Sequence, residues 1–299
     1  MSGEFRKALE SGRIIVFDGA MGTELAARGV EPGLIANVTN PTTVLAVHRA
    51  YREAGADVLI TNTFGVSAEM ATAGAKTTKD LENICQKACQ FAREAAADDG
   101  YVAGDIGPTG KLLEPYGTFS DATLFDAFRQ TARLLAAGGV DFFIVETMSD
   151  SEEMRLAVHA CREAARMAAR DIPIAASMAF DPCRQGGFRT NMGVSPSEAA
   201  EAMIAAGADI IGANCGSVTP EQMAEIVREF QRATDKPILA QPNAGVPELQ
   251  AGQTIFRLAP KEFADGMKLV LKAGARLVGG CCGTTPEHIR RLRQAVGQK

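Results

Sequence analysis

The chain has no tryptophan, three tyrosines and three histidines among 299 residues. So few aromatics leave little from which to build an aromatic cage around a quaternary ammonium group. The histidines, His48, His159 and His288, fall within helical patterns or at a helix start. They do not form a histidine-rich metal centre of the kind that activates water. No apolar run approaches the roughly 18 residues needed to span a bilayer. Met1 to Glu10 is polar and has no signal-peptide core, so a cytoplasmic setting is expected. A net charge of −5 leaves no basic stripe for nucleic acid or an anionic membrane. Also missing are the Gly-x-Gly-x-x-Gly turn of a dinucleotide-binding sheet, an adenosylmethionine motif, and the Asp-x-His-x-x-Gly arrangement that binds cobalamin.

What the chain does have is a repeat. Ala54-Gly55-Ala56-Asp57, Gly138-Gly139-Val140-Asp141, Ala206-Gly207-Ala208-Asp209 and Ala273-Gly274-Ala275-Arg276 recur at intervals of 84, 68 and 67 residues. Each ends a helical stretch with glycine and opens an apolar run, the pattern of a capped helix followed by a buried strand. Further buried-strand candidates lie between the copies, at Ile14–Phe17, Tyr101–Gly104, Ile174–Ser177 and Ile238–Ala240. Helical patterns cover Leu124–Ala137, Ser151–Ala169 and Pro220–Ala233. Eight strand–helix units in strict alternation predict an α/β fold, a single (β/α)8 TIM barrel over residues 1–299. An open doubly wound sheet is the rival architecture.

Counting eight residues from the start of each copy reaches Asn62, Glu146, Asn214 and Cys281. The other strands end at Asp18, Asp105, Ser177 or Met178, and Asn243. These positions should ring the C-terminal mouth, where barrels of this type carry their chemistry. Seven cysteines, an odd number, point to a reducing compartment with free thiols or metal ligands. Asn214-Cys215-Gly216 and Gly279-Gly280-Cys281-Cys282-Gly283 deliver three cysteines from two strand ends. That favours a thiolate cage for a soft cation, zinc with one open position, over three buried structural cysteines. Such a cage suits alkyl transfer to a thiol better than activation of water. Asn243 ends the strand between them and is either a weak fourth ligand in the absence of a thiol or a loop cap. Cys85 and Cys89, one helical turn apart, read as a packing pair, and Cys161 and Cys183 read likewise.

The motifs carry a resemblance. Phe17-Asp18-Gly19-Ala20-Met21-Gly22-Thr23, Thr61-Asn62-Thr63-Phe64-Gly65, Gly104-Asp105-Ile106-Gly107-Pro108-Thr109-Gly110, Glu146-Thr147, Asn214-Cys215, Pro242-Asn243-Ala244-Gly245 and Gly279 to Pro286 resemble the homocysteine S-methyltransferase family. The similarity is greatest to the homocysteine-binding domain of cobalamin-dependent methionine synthase. It implies a zinc barrel that methylates homocysteine to methionine, with Cys215, Cys281 and Cys282 as metal ligands. It implies that Asp18 and Glu146 hold the substrate ammonium and the N–H groups of Gly19 and Ala20 its carboxylate. For Asp18 the alternative is a helix N-cap, and for Glu146 a salt bridge at the barrel mouth. The sequence departs from methionine synthases at Gly216, where they have serine, and over Asp181–Gly193. With no corrinoid motif in the chain, the expected donor is methylcobalamin or another methylcorrinoid on a separate protein. The alternatives are a small donor such as S-methylmethionine, or betaine with Tyr116 and Phe119 contributing to a cage, or a non-catalytic zinc- or thiol-binding subunit.

Overall fold

The computed structural model describes residues 2–73, 78–250 and 252–297. Its strands are β1 (Ile15–Val16), β2 (Val58–Ile60), β3 (Tyr101–Ile106), β4 (Phe142–Met148), β5 (Ile174–Met178), β6 (Ile210–Asn214), β7 (Ile238–Gln241) and β8 (Leu277–Val278). They pair in parallel in the order β1-β8-β7-β6-β5-β4-β3-β2. A parallel bridge from Phe17 to Val58 joins the two ends of that sheet. The Asp18 N–H adds a bond to the Val58 carbonyl at 3.0 Å. The expected (β/α)8 barrel is therefore what the chain forms. Helices at Asp121–Ala137, Ser151–Met167 and Pro220–Ala233 fall where the periodicity placed them.

Every strand contributes to one inner core: Ile15 and Phe17, Val58, Ala103, Phe142 and Ile144, Ala175, Ile210, Leu239 and Leu277. Because side chains alternate across a strand, this set fixes which later residues point inward. Two and four residues beyond these positions lie Ile60 and Asn62, Asp105, Glu146, Ser177, Gln241 and Asn243, and Gly279 and Cys281. The lower end of the core is closed by the helix Ser2–Glu10, to which the sequence reading gave no structure. Its Phe5 is fully buried and stacks on Phe142 with ring centroids 4.0 Å apart.

The repeated aspartate acts as a clamp between neighbouring strands. Asp57 Oδ2 accepts the Val16 N–H at 2.9 Å, Asp141 Oδ2 the Val102 N–H at 2.8 Å, and Asp209 Oδ2 the Ile174 N–H at 2.9 Å. In each case a helix supplies an arginine to the same oxygen: Arg293, Arg93 and Arg162. The fourth copy has Arg276 in place of the aspartate. Each clamp sits five residues before Asn62, Glu146 or Asn214, about 16 Å lower on the same strand. It thus sets the register on which the mouth depends.

Two antiparallel hairpins were not foreseen. Asp181–Pro182 pairs with Phe188–Arg189 inside the long loop after β5, and Glu248–Gln250 pairs with Gln253–Ile255 after β7. Both lie on the side of the barrel where the strands end.

Replacing Asp141 with alanine would leave a strand N–H without its acceptor and Arg93 without its carboxylate. Asp141→Ala should destabilise the fold by about 2–4 kcal/mol, read as a lower midpoint in urea unfolding with an unchanged slope.

Candidate metal and acceptor site

β7 lies between the two cysteine-bearing strands and holds them both. The Cys215 N–H donates to the Gln241 carbonyl at 3.1 Å, and the Cys281 N–H to the Pro242 carbonyl at 2.9 Å. The result is one cluster in which the Sγ atoms of Cys215, Cys281 and Cys282 all lie within 4.8 Å of one another. Cys215 and Cys282 Sγ are 4.0 Å apart. Zinc–sulfur bonds of about 2.3 Å at tetrahedral angles put sulfurs about 3.8 Å apart, so the spacing fits such an ion. It is the one cluster of three or more histidine, cysteine or carboxylate ligands of this kind among the described residues.

Three thiols this close cannot all carry charge without a cation. Hydrogen bonds from Cys281 and then Cys282 hold Cys215 down at about 3, while Cys281 is pushed well up and Cys282 up to about 12. The other cysteines behave as packing residues. Burial raises Cys85 and Cys89 to about 12, and Cys161 is completely buried.

Cys215 has φ +57° and Gly216 φ +67°. A Cβ on Gly216 would lie 2.1 Å from the Phe180 carbonyl oxygen. The departure from Asn-Cys-Ser is thus a steric requirement of this chain, since only glycine tolerates that approach. The Gly216 carbonyl accepts the Asn243 Nδ2 at 2.7 Å. Asn243 is buried, its Oδ1 has no hydrogen-bond partner among the described residues, and its side chain also helps hold Cys215 low.

The cluster opens on a cavity of about 500 Å3. Gly19, Ala20, Asn62, Asp105, Glu146, Thr147 and Gln241 line it with the three cysteines, and among the described residues no lysine, arginine or histidine does. Glu146 is pushed up to about 8, first by burial and then by the charge on Cys215. Asp105 is raised well above the ordinary carboxyl range by burial, then by Glu146 and Asp18. Its Oδ1 is buried without a partner.

From sequence, Asp105 is set at the mouth without a role and Gln241 is not named. Their signal was available: each stands two residues after an inward core residue, Ala103 and Leu239. Asp18 is out of phase with Ile15 and Phe17. It does not line the cavity, and its Oδ2 accepts the Ile60 N–H at 2.9 Å. It is not a helix cap, because Ala20 occupies the N-cap position of the helix Met21–Ala27. Burial raises its carboxyl as well, and Oδ1 has no partner. The Ala20 N–H donates to Thr284 Oγ1 at 3.2 Å, and Tyr51 Oη lies 2.9 Å from the carbonyls of both Ala20 and Thr284. Tyr116 and Phe119 are not among the lining residues, and Phe64 is the aromatic that is. The histidines stand apart: His288 binds Thr285 and the Leu258 carbonyl, His48 is buried, and His159 is exposed.

A thiol cluster at the mouth of a TIM barrel, beside a carboxyl-lined cavity, defines the class as a barrel enzyme scaffold with a cysteine cluster that could hold a metal ion. Residues 15–296 match the homocysteine S-methyltransferase family, and the chain belongs to it. It is 36% identical over 306 aligned positions to the methionine synthase of Mycobacterium tuberculosis (strain ATCC 25618 / H37Rv), covering 96% of this chain and 25% of that protein. The methionine synthase of Mycobacterium leprae (strain TN) is 34% identical over 96% of this chain and 24% of its own length. The chain thus spans about a quarter of these relatives. The metallated form of the homocysteine methyltransferase MmuM from Escherichia coli shares the fold, with a TM-score of 0.72 at 24% identity over 97% of this chain and 99% of that one. No helix among the described residues is long and apolar enough to cross a membrane.

A carboxyl with a raised native pKa keeps a proton that the unfolded chain releases above about 4. Stability should therefore fall as pH rises from the carboxyl range towards neutrality. Asp105→Asn removes one such group. Thermal melts of the metal-free protein at pH 5 and pH 8 should show a smaller loss between the two in the variant than in wild type.

Proposed function

We propose that this chain is a zinc-dependent homocysteine S-methyltransferase that converts homocysteine to methionine. The observation that carries the reading is the meeting of three cysteine sulfurs with a cavity that is lined, among the described residues, by carboxyls and no basic side chain. Cys215, Cys281 and Cys282 would hold the zinc, which, when bound, would favour the acceptor thiol as its thiolate and, with three sulfur ligands, act as a weak Lewis acid. Asn243 Oδ1, a hard oxygen with no hydrogen-bond partner among the described residues, would serve as a weak fourth ligand in the absence of a thiol.

The chain's own groups orient the amino acid. Glu146 and Asp105 face the cavity and would take the α-ammonium, with Asp18 adding negative charge from behind the wall. Gly19 and Ala20, at the start of a helix without a side-chain cap, present the backbone to the α-carboxylate. The Ala20 N–H must leave Thr284 Oγ1 to take part. Residues 1–299 are read as a single barrel domain in a reducing cytoplasm, in keeping with seven free cysteines.

The donor we infer is a methylcorrinoid on a separate protein that docks over the mouth. Kinship to methionine synthases supports this. So do exposed apolar residues on the loops after the strand ends: Ile35, Phe64, Leu112, Tyr116, Met192, Val246 and Leu249. Arg184 and Arg189, exposed on the hairpin after β5, would meet corrinoid amides or partner carboxylates.

Metal analysis of purified protein should find about one zinc per chain in wild type and almost none in Cys281→Ala. Full metal content in the variant would remove the ligand assignment. In methyl-transfer assays with homocysteine, free methylcobalamin should be a slow donor and a methylcorrinoid protein a much faster one. Turnover with S-methylmethionine and none with any methylcorrinoid would reassign the donor, and no turnover with either would favour a non-catalytic thiol-binding role.

A further inference from the structure

Asn214 is fully buried at the end of β6, and the roles assigned so far give it no task. Its side chain has two acceptor positions and two donors. Oδ1 accepts the Thr147 N–H at 2.8 Å and the Ser177 hydroxyl at 2.7 Å. Nδ2 donates to Thr147 Oγ1 at 2.7 Å. The same nitrogen stands 3.4 Å from Glu146 Oε2 and 3.9 Å from Cys281 Sγ. One remaining N–H is therefore shared between a carboxylate of the ammonium site and a sulfur of the metal site.

Thr147 explains why so many of these bonds go to one residue. It has φ +60°, a left-handed conformation that a β-branched side chain rarely adopts. The pairing of β4 with β5 also changes register between Val145 and Met148. Glu146 already faces inward in phase with Phe142 and Ile144, and the irregularity falls beside it, at Thr147. Asn214 grips Thr147 by both its N–H and its hydroxyl, so the turn at 147 is held from β6, two strands away from β4.

We propose that Asn214 is a positioning residue that sets both halves of the acceptor site. It holds Thr147 left-handed directly beside the inward-facing Glu146, fixing where that carboxyl sits, and its last N–H links Glu146 to the Cys281 sulfur. This rests on the reading that Glu146 receives the ammonium and Cys281 holds the metal. A donor beside a metal-bound sulfur withdraws charge from it, and groups of this kind orient and tune ligands without touching the ion.

The test compares zinc-loaded wild type, Asn214→Ala, Thr147→Gly and the double variant, binding homocysteine and 4-mercaptobutanoate, which lacks the amine, by calorimetry. Wild type should prefer homocysteine by about 10- to 100-fold, the value of one charged hydrogen bond. Asn214→Ala should keep its zinc and its affinity for 4-mercaptobutanoate but lose most of that preference. The double variant should regain much of it, since glycine adopts positive φ without a clamp. With cobalt in place of zinc, the sulfur-to-metal charge-transfer band should shift in Asn214→Ala and in the double variant, and not in Thr147→Gly. If Asn214→Ala does not fold, the double variant supplies the cobalt comparison and Asn214→Ser the binding one. An unchanged preference, or equal loss of zinc and of both thiols, would overturn the positioning role. A wild type without any preference would overturn the ammonium reading instead, and the cobalt band would then decide the link to Cys281 alone.

Discussion

The site depends on the end of a strand that carries no cysteine. The carbonyls of Gln241 and Pro242 take the N–H groups of Cys215 and Cys281, so the strands on either side of β7 deliver their thiols at one height. Parallel pairing makes this possible, since neighbouring strands in a barrel all end on the same face. It also has a cost, because Cys215 must adopt a left-handed backbone, followed by a glycine that no other residue could replace. Asn243 then lies between the two cysteine segments, bonded to the Gly216 carbonyl and with its own oxygen unused. Sulfur spacing, the left-handed turn and the idle amide oxygen all follow from that pair of backbone bonds.

The opposite end of the barrel supports this arrangement. A one-residue slip in any strand would turn its mouth residue to the outer face. The aspartate clamps, each with an arginine, oppose such a slip at three of the eight pairs of neighbouring strands. The lower end holds the clamps and Phe5 stacked on Phe142. At the upper end four buried oxygens, Asp18 Oδ1, Asp105 Oδ1, Gln241 Oε1 and Asn243 Oδ1, have no hydrogen-bond partner among the described residues. Buried polar atoms without partners are unfavourable in a folded chain and are expected where a ligand will supply the missing bond.

Much of this was legible in the sequence. The repeat gave eight units and a register that placed Glu146, Asn214 and Cys281 at the mouth, and the glycine-flanked cysteines gave the cluster. What was missed has physical causes. Ser2–Glu10 is too polar on average to announce itself as a plug, and a single residue, Phe5, does most of its burying. Asp105 was placed at the mouth, but its role and the inward direction of Gln241 follow from the parity of each strand, which the inner core makes plain. Asp18 was named by its motif, and the motif does not say that β1 ends out of phase with it. The hairpins after β5 and β7 form by pairing within loops, where no periodicity with the barrel marks them. The left-handed turn at Thr147 leaves no trace in local propensity, because Asn214 imposes it from 67 residues away.

The thiol cluster and the carboxyl group are not independent sites. Glu146 is raised first by burial and then by charge on Cys215, so negative charge on the sulfurs makes the neighbouring carboxyl harder to ionise. Asp105 is raised in turn by Glu146 and Asp18. The cavity has gathered acidic groups from β3 and β4 and from the ends of β6 and β8, and no cation among the described residues lines it. Such an arrangement favours two positive charges, one on sulfur and one on oxygen. A metal on the cysteines would lower the potential that holds Glu146 protonated, and an ammonium at the carboxyls would lower the charge that the metal faces. Each cation would thus make room for the other, and a molecule carrying a thiol and an ammonium a few bonds apart is the kind of ligand that meets both demands.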